Sequence, residues 1–170
     1  GEYTTPNNNL PTLFVIENNL YSSHMHMSER RRQQDLQKIG DMLGIPSFKI
    51  DGNDVREVST LSKKLIDSLR TGNGPYILEA MSFRFRGHVG HRSDEDVGVK
   101  RKGELKEWLN KDPIIMERKR LITDQVEEQE LDLIDKEIIK DISNLVDLAR
   151  KAPFPKQDDL TRHVFVSDYD

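Results

Sequence analysis

The segment Pro11-Thr-Leu-Phe-Val-Ile-Glu-Asn-Asn-Leu-Tyr-Ser22 constrains the fold most. Its apolar run, Leu13 to Ile16, stops at one acid and two amides. A short apolar run with such an ending is the pattern of a buried parallel strand whose carboxyl end opens into a ligand crevice. Asn18 and Asn19 do not continue a buried strand cheaply, because their amides need polar partners. The pair therefore has two readings. It is a turn, since Asn tolerates left-handed backbone geometry, or it marks something bound at the strand tip.

The rest of the chain repeats the alternation. Ser28 and Glu29 open a helix expected to run from Arg30 to Leu43, with Leu36, Ile39, Met42 and Leu43 on one face. Gly44 closes it as a left-handed cap residue. Ile45 to Ile50 is a second strand, with Pro46 at its start. Asp51-Gly-Asn-Asp54 is a strand-to-helix turn in which Asn53 or Asp54 caps the next helix. Val55, Val58, Leu61, Leu65, Ile66 and Leu69 trace one helical face to Arg70. Gly72-Asn-Gly-Pro75 breaks that helix, and Tyr76 to Met81 is a third strand. Strand, helix, strand, helix, strand with short links predicts an α/β fold: a parallel sheet with helices on its faces.

From Arg84 to Lys102 the pattern changes. This stretch is rich in glycine, arginine and histidine and includes the acidic run Asp94-Glu-Asp96. A long segment without periodicity inside a compact domain is usually functional or disordered. A short helix with the single tryptophan, Trp108, follows from Glu104 to Asn110. Asp112-Pro113 starts another helix, with proline at its first position. A long amphipathic helix then aligns Leu131, Ile134, Ile138, Ile142, Leu145 and Ala149, and Pro153 and Pro155 end it. The chain reads as one domain over residues 1–170. It comprises a sheet portion at 10–82, a loop at 83–103 and a helical part at 104–170.

Composition narrows the function classes. Charged residues are 33% and hydrophobic ones 35%, so the core is lean, and completion of the apolar surface by another chain or segment is expected. A net charge of −4 disfavours bulk nucleic-acid binding. Without cysteine there is no disulfide framework and no thiolate metal site. No apolar run approaches ~18 residues, so no membrane span is expected. No secretory leader is visible at Gly1, and a cytoplasmic location is the default expectation.

Arg84, Arg86 and His88 lie just past the third strand, at the edge where open α/β sheets bind ligands. Arginine matches phosphate oxygens with a planar fork, and histidine donates a hydrogen bond or moves a proton. Gly87 admits close approach of a ligand. A solvated basic turn is the competing reading. Four imidazoles, His24, His26, His88 and His91, also raise the question of zinc. However, His24-Met-His26 alternates faces if extended, and no carboxylate pattern completes a catalytic set. Imidazoles converging on an anionic substrate is the favoured use. Asp94-Glu-Asp96 pairs with Lys100-Arg-Lys102 within the loop or is simply solvated. Neither a phosphate loop ending in Gly-Lys-Ser/Thr nor a Gly-x-Gly-x-x-Gly occurs, which disfavours simple nucleotide kinases and nicotinamide enzymes.

Taken together, several segments resemble one family in order and rough spacing. They are Leu10-Pro with Leu-Phe-Val-Ile-Glu-Asn-Asn-Leu-Tyr21, Gly44-Ile-Pro46, Asp51-Gly-Asn-Asp-Val55, Gly74-Pro75, Arg84-Phe-Arg-Gly-His88 and Trp108 to Pro113. The family is the α subunit of thiamine diphosphate-dependent 2-oxo acid dehydrogenases, including the acetoin dehydrogenase branch. The resemblance implies a thiamine diphosphate-binding fold with a helical carboxyl-terminal segment. It implies Asn19 as a side-chain ligand of a magnesium ion and the main-chain carbonyl of Tyr21 as another. Arg84 is implied as a contact to the cofactor phosphate, and His88 as the active-site histidine, near both diphosphate and the reacting carbon. The loop from Val89 to Arg101 resembles one that orders over bound cofactor. His24 lies where the family's post-Asn loop approaches substrate and is a candidate substrate contact.

The implied reaction cleaves the bond next to the carbonyl of a 2-oxo acid or acetoin and passes the acyl unit to a lipoyl carrier. The implied partners are a β subunit, in an α2β2 assembly, a lipoyl-bearing acyltransferase and a small-molecule substrate. Three departures qualify this. The family's Gly-Asp-Gly upstream of the Asn pair is absent, so the chain is expected to be the carboxyl-terminal half of an α subunit or an abbreviated relative. Val89 stands where many animal relatives carry a phosphorylatable serine, so kinase control there is not expected. The loop after His88 is longer than in those relatives and carries His91, pointing to a bacterial branch. A non-catalytic fragment or assembly module, and an unrelated phosphate-binding α/β protein, are the alternatives.

Overall fold

The computed structural model describes residues 10–90, 92 and 102–162. His91, the Asp94-Glu-Asp96 run and Lys100-Arg101 lie outside the described residues. The chain divides into two compact units, Gly1–Leu121 and Ile122–Asp170.

The first unit is built on three strands. β1 spans Leu13–Asn18, β4 Ser47–Asp51 and β5 Tyr76–Met81, while two short strands, β2 (Tyr21–Ser22) and β3 (Met25–His26), form a small hairpin. β5 lies at the centre of the main sheet and pairs in parallel with β1 on one side and β4 on the other. The helices are α1 (Met27–Arg30), α2 (Gln37–Leu43), α3 (Val55–Arg70), α4 (Lys102–Leu109) and α5 (Pro113–Thr123). The expected α/β class, a parallel sheet flanked by helices, is what the chain adopts.

Strand alternation assigns the two faces. Ile50, Leu65 and Leu78 form the buried core between sheet and α3, with Leu13, Phe48, Val58, Leu61, Tyr76 and Ala80 packed around it. α2 packs against β4 and β5. Gly40 of α2 is buried, and a Cβ there would collide with Ser47 Oγ, so the approach is close enough to require glycine. Gly44 ends α2 with φ 65°, as its left-handed cap role predicts. Asp54, one of the two expected caps, accepts from the Arg56 and Glu57 amides at the start of α3. Pro113 is the first residue of α5, and Asp112 Oδ1 accepts from the Ile114 and Ile115 amides.

Four expectations fail. The strand expected over Leu13–Ile16 runs on to Asn18, which pairs with Met81, so an amide does continue it. That strand is not buried: Val15 is 60% exposed, because β1 is an edge of the sheet in the described chain. The helix expected from Arg30 to Leu43 is two helices with residues 31–36 between them. Ser28 to Asp35 holds no apolar residue to bury, and three consecutive arginines repel one another, so only the buried Met27 and Leu36 anchor the two ends. On α2 itself Ile39, Met42 and Leu43 are exposed. The second strand begins at Ser47 rather than Ile45.

The second unit contains α6, Glu128–Lys151. Its apolar stripe is at the expected spacing, but only Leu131 is buried, with Ile134, Ile138, Ile142 and Leu145 exposed. Among the described residues no helix is long and apolar enough to cross a membrane.

Candidate cofactor site at the carboxyl edge of the sheet

The turn after β1 bends on its own side chains. Asn18 Oδ1 accepts from the Leu20 amide at 3.1 Å, and Asn19 Oδ1 accepts from the Tyr21 amide at 3.0 Å. Asparagine closes such turns because its side-chain carbonyl reaches the amide two residues on. The pair is a turn, and that turn gathers two side-chain amide oxygens at the strand tip. Leu20 and Ser23 adopt left-handed φ values of 68° and 54°, uncommon for residues with a Cβ. Asn18 is also held from the sheet. Its Nδ2 donates to Glu79 Oε1 at 2.6 Å, and its carbonyl accepts from the Ser82 amide.

Arg84 joins this turn to the segment past β5. Its Nη2 donates to the Ser23 carbonyl at 2.7 Å, its Nε to the Arg86 carbonyl at 3.2 Å, and its Nη1 lies 3.3 Å from His88 Nδ1. The rings of His24 and His88 meet edge to face with centroids 6.3 Å apart. Asn19, Tyr21, His24, Arg84 and His88 are therefore one cluster, although Arg84 is 61 residues from Ser23 in sequence. His26 touches Tyr21 through its ring while its Nδ1 accepts from the Ser28 amide, capping α1. Among the described residues no group of three or more histidines and carboxylates is placed to hold a metal, which leaves the zinc question without support there.

An aromatic wall backs the cluster. Tyr21 meets His26 and Phe83 edge to face at 5.0 and 6.3 Å, and Phe83 stacks on Trp108 of α4 at 5.5 Å. The Tyr21 hydroxyl donates to Glu104 Oε2 at 2.6 Å, tying the turn to α4. Residues on both sides of the 85–103 segment, Arg84 and Glu104, are thus bonded to the same Asn-Tyr-Ser turn.

Sequence reasoning singled out Asn18 only as part of the Asn pair, and passed over its partner Glu79 and also Glu104. Glu79 is fully buried in the central strand, with Oε2 3.7 Å from Lys49 Nζ and no hydrogen-bond partner among the described residues. The available signal was a lone acid inside the otherwise apolar run Tyr-Ile-Leu-Glu-Ala-Met81, since a buried polar residue is the informative exception. Glu104 carried no comparable signal.

The donors at the turn suit magnesium. A side-chain amide oxygen and a main-chain carbonyl are hard ligands, and magnesium seeks six oxygens, commonly including phosphate oxygens and water. Asn19 Oδ1 spends one lone pair on the Tyr21 amide and keeps a second for a cation. Arg84 and His88 present cationic or donor groups beside it, as a diphosphate requires.

Fold and site together define an α/β protein with an Asn turn, an arginine and two histidines gathered at the carboxyl ends of parallel strands. Residues 6–158 match the family described as dehydrogenase E1 component, and the chain belongs to that family. It is similar to the pyruvate dehydrogenase E1 component subunit alpha of Zymomonas mobilis, with 34% identity over 94% of this chain and 45% of that protein. It is 33% identical to the chloroplastic subunit alpha-3 of Oryza sativa over 92% of this chain and 36% of that protein. The testis-specific mitochondrial subunit alpha of Homo sapiens is 32% identical over 94% of this chain and 40% of its own length. The chain thus spans less than half the length of these curated relatives. The likeness to α subunits of 2-oxo acid dehydrogenases read from the motifs is borne out.

Proposed function

We propose that this chain is the part of a thiamine diphosphate-dependent 2-oxo acid dehydrogenase α subunit that carries the second half of the cofactor site. Arg84 carries the reading: one guanidinium spans the Asn-turn carbonyl and His88, so the cation donors and the histidine share a site. Asn19 Oδ1 and the Tyr21 carbonyl would hold magnesium, and Arg84 would contact the diphosphate. Bound thiamine diphosphate supplies the carbon nucleophile and the electron sink for cleavage next to a carbonyl. His88, whose Nδ1 lies 3.3 Å from Arg84 Nη1, would donate to or accept from a reacting oxygen. His24, whose ring meets that of His88 edge to face, would meet the substrate carboxylate.

The named relatives favour pyruvate as the 2-oxo acid, with acetoin as the alternative. A β subunit and a lipoyl-bearing acyltransferase complete the proposed reaction. One observation favours the second reading, in which the chain alone is an assembly module. Val15 and Phe14 on β1, and Ile138 and Ile142 on α6, present apolar surface that other polypeptide must cover.

Calorimetry with thiamine diphosphate and magnesium separates the readings. The expected result is magnesium-dependent binding once the chain is joined to an upstream α-subunit segment and a β chain, and weak binding by the chain alone. Tight cofactor binding by the isolated chain would remove the module reading. Binding of other nucleotides without magnesium would replace both with a general phosphate-binding protein.

A further inference from the structure

Glu79 is the least expected residue in the sheet. It is fully buried in the central strand, where register places it between Ile16 of β1 and Lys49 of β4. Taking a carboxylate out of water costs several kcal/mol unless it is paired and hydrogen-bonded. An apolar residue would fill such a position at lower cost. Only one of its oxygens is hydrogen-bonded among the described residues: Oε1 accepts from Asn18 Nδ2 at 2.6 Å. Lys49 Nζ stands 3.7 Å from the other, longer than a hydrogen bond.

The Asn18 amide can satisfy its neighbours in one orientation only. Its nitrogen must face the carboxylate and its oxygen the Leu20 amide. A charge-assisted bond of this kind is about twice as strong as a neutral one. Glu79 therefore sets the amide, the amide sets Leu20, and Leu20 sits at φ 68°, a conformation a leucine resists. Asn19 and Tyr21, the two oxygen donors, flank that residue on either side.

We propose that Glu79 is the positioning residue of the cation turn. Acting through Asn18, it holds the strained Leu20 so that Asn19 Oδ1 and the Tyr21 carbonyl are set for a divalent cation. Outer-shell partners of this type orient ligands and tune affinity without touching the metal. The inference rests on the magnesium–thiamine diphosphate reading above.

The test uses the complete α subunit assembled with its β chain, wild type and Glu79→Gln. Glutamine keeps the size of the side chain but replaces the charge-assisted bond to Asn18 with a weaker neutral one. Thiamine diphosphate binding is followed at graded magnesium concentrations, beside the melting curve. The magnesium midpoint is expected to rise about 10- to 100-fold, with cofactor affinity recovering at high magnesium. A merely structural role would instead lower the melting temperature and weaken cofactor binding equally at all magnesium concentrations, which would overturn the proposal. If Glu79→Gln is not recovered folded, Asn18→Ala carries the same test and leaves the Lys49–Glu79 pair in place. An unmoved midpoint in a folded variant, with wild type binding normally, overturns this inference alone. A wild-type assembly that shows no magnesium-dependent binding overturns the cofactor reading and this inference with it.

Discussion

Two turns leave the carboxyl edge of the same sheet, and they use the same chemistry for different ends. After β4, Asp51 Oδ1 accepts from the Asn53 amide; after β1, Asn18 and Asn19 do the same for Leu20 and Tyr21. Beyond that step they diverge. The β4 turn closes on structure. Asp54 caps α3 and grips Arg120 of α5 through two bonds of 2.7 and 2.6 Å, while Asn53 Nδ2 donates to the Lys111 carbonyl. The β1 turn caps no helix with either asparagine. It spends its amides on bending the backbone, with two residues in left-handed geometry and a buried acid behind it. One turn converts polar side chains into a rigid joint. The other converts them into an array of oxygens held at some conformational cost, which is where function is expected.

The comparison breaks most sharply at the two asparagines that differ in role. In the assembled protein Asn19→Ala should raise the magnesium needed for cofactor binding by about 100-fold or more, at the upper end of what outer-shell losses produce. Asn53→Ala should leave that midpoint where it was and lower the melting temperature instead, because its lost partner is the Lys111 carbonyl. A shift of the magnesium midpoint by both, or by neither, would mean that the turns are not distinct in kind.

The second effect is steric and belongs to the β4 turn. A Cβ on Gly52 would lie 2.8 Å from the Met81 carbonyl oxygen and 3.1 Å from Ala80 Cβ, so backbone must move to admit it. Gly52→Ala should therefore cost about 1–3 kcal/mol of unfolding free energy, as overpacked sites do, measured by denaturant titration. A neutral result would show that the joint is softer than its bonding implies.

A pH series sharpens the contrast further. The Arg120 hydrogen bond, then the Glu57 amide, hold the Asp54 carboxyl well below the usual carboxylate range. A carboxyl with a depressed folded-state pKa contributes stability that is complete above its unfolded value and is lost as pH falls through the folded one. Melting temperature should thus decline as pH drops below about 4, and Asp54→Asn should flatten that decline while lowering the plateau at neutral pH. An unchanged acid slope in Asp54→Asn would assign the acid sensitivity elsewhere.

How legible each turn was follows from how local its chemistry is. Gly44, Asp54 and Pro113 announce caps and starts through bonds made within a few residues, and α3 and β5 fall where their apolar spacing puts them. Asn19 and Arg84 were readable through motif resemblance. Asn18 was not, because the partner that lets an amide stay in a strand is Glu79, 61 residues away. The 30–43 helix misled because its apolar spacing is confined to Leu36–Leu43, while Ser28 to Asp35 offers nothing apolar to bury, and on α2 itself Ile39, Met42 and Leu43 are exposed. Periodicity reports which residues share a face, not whether a partner meets that face. The same holds for Ile134, Ile138 and Ile142 on α6.

The smallest effect tests whether the β1 turn is held under strain at all. At φ 68° a leucine pays roughly 1–2 kcal/mol for left-handed geometry, and glycine pays nothing there but loses more chain entropy on folding, about 0.5–1 kcal/mol. Leu20 is only half-buried, so truncating it forfeits little packing. Leu20→Gly should accordingly change unfolding free energy by less than about 1 kcal/mol, the two backbone effects nearly cancelling. Its functional consequence is more telling. With the strain gone, the turn no longer depends on Asn18 to stay bent, so the magnesium midpoint of Glu79→Gln should move back toward wild type when Leu20→Gly is added. Additive or worsened defects in the double variant would mean that Glu79 acts on the cation through its charge alone, and that the left-handed leucine is incidental to the site.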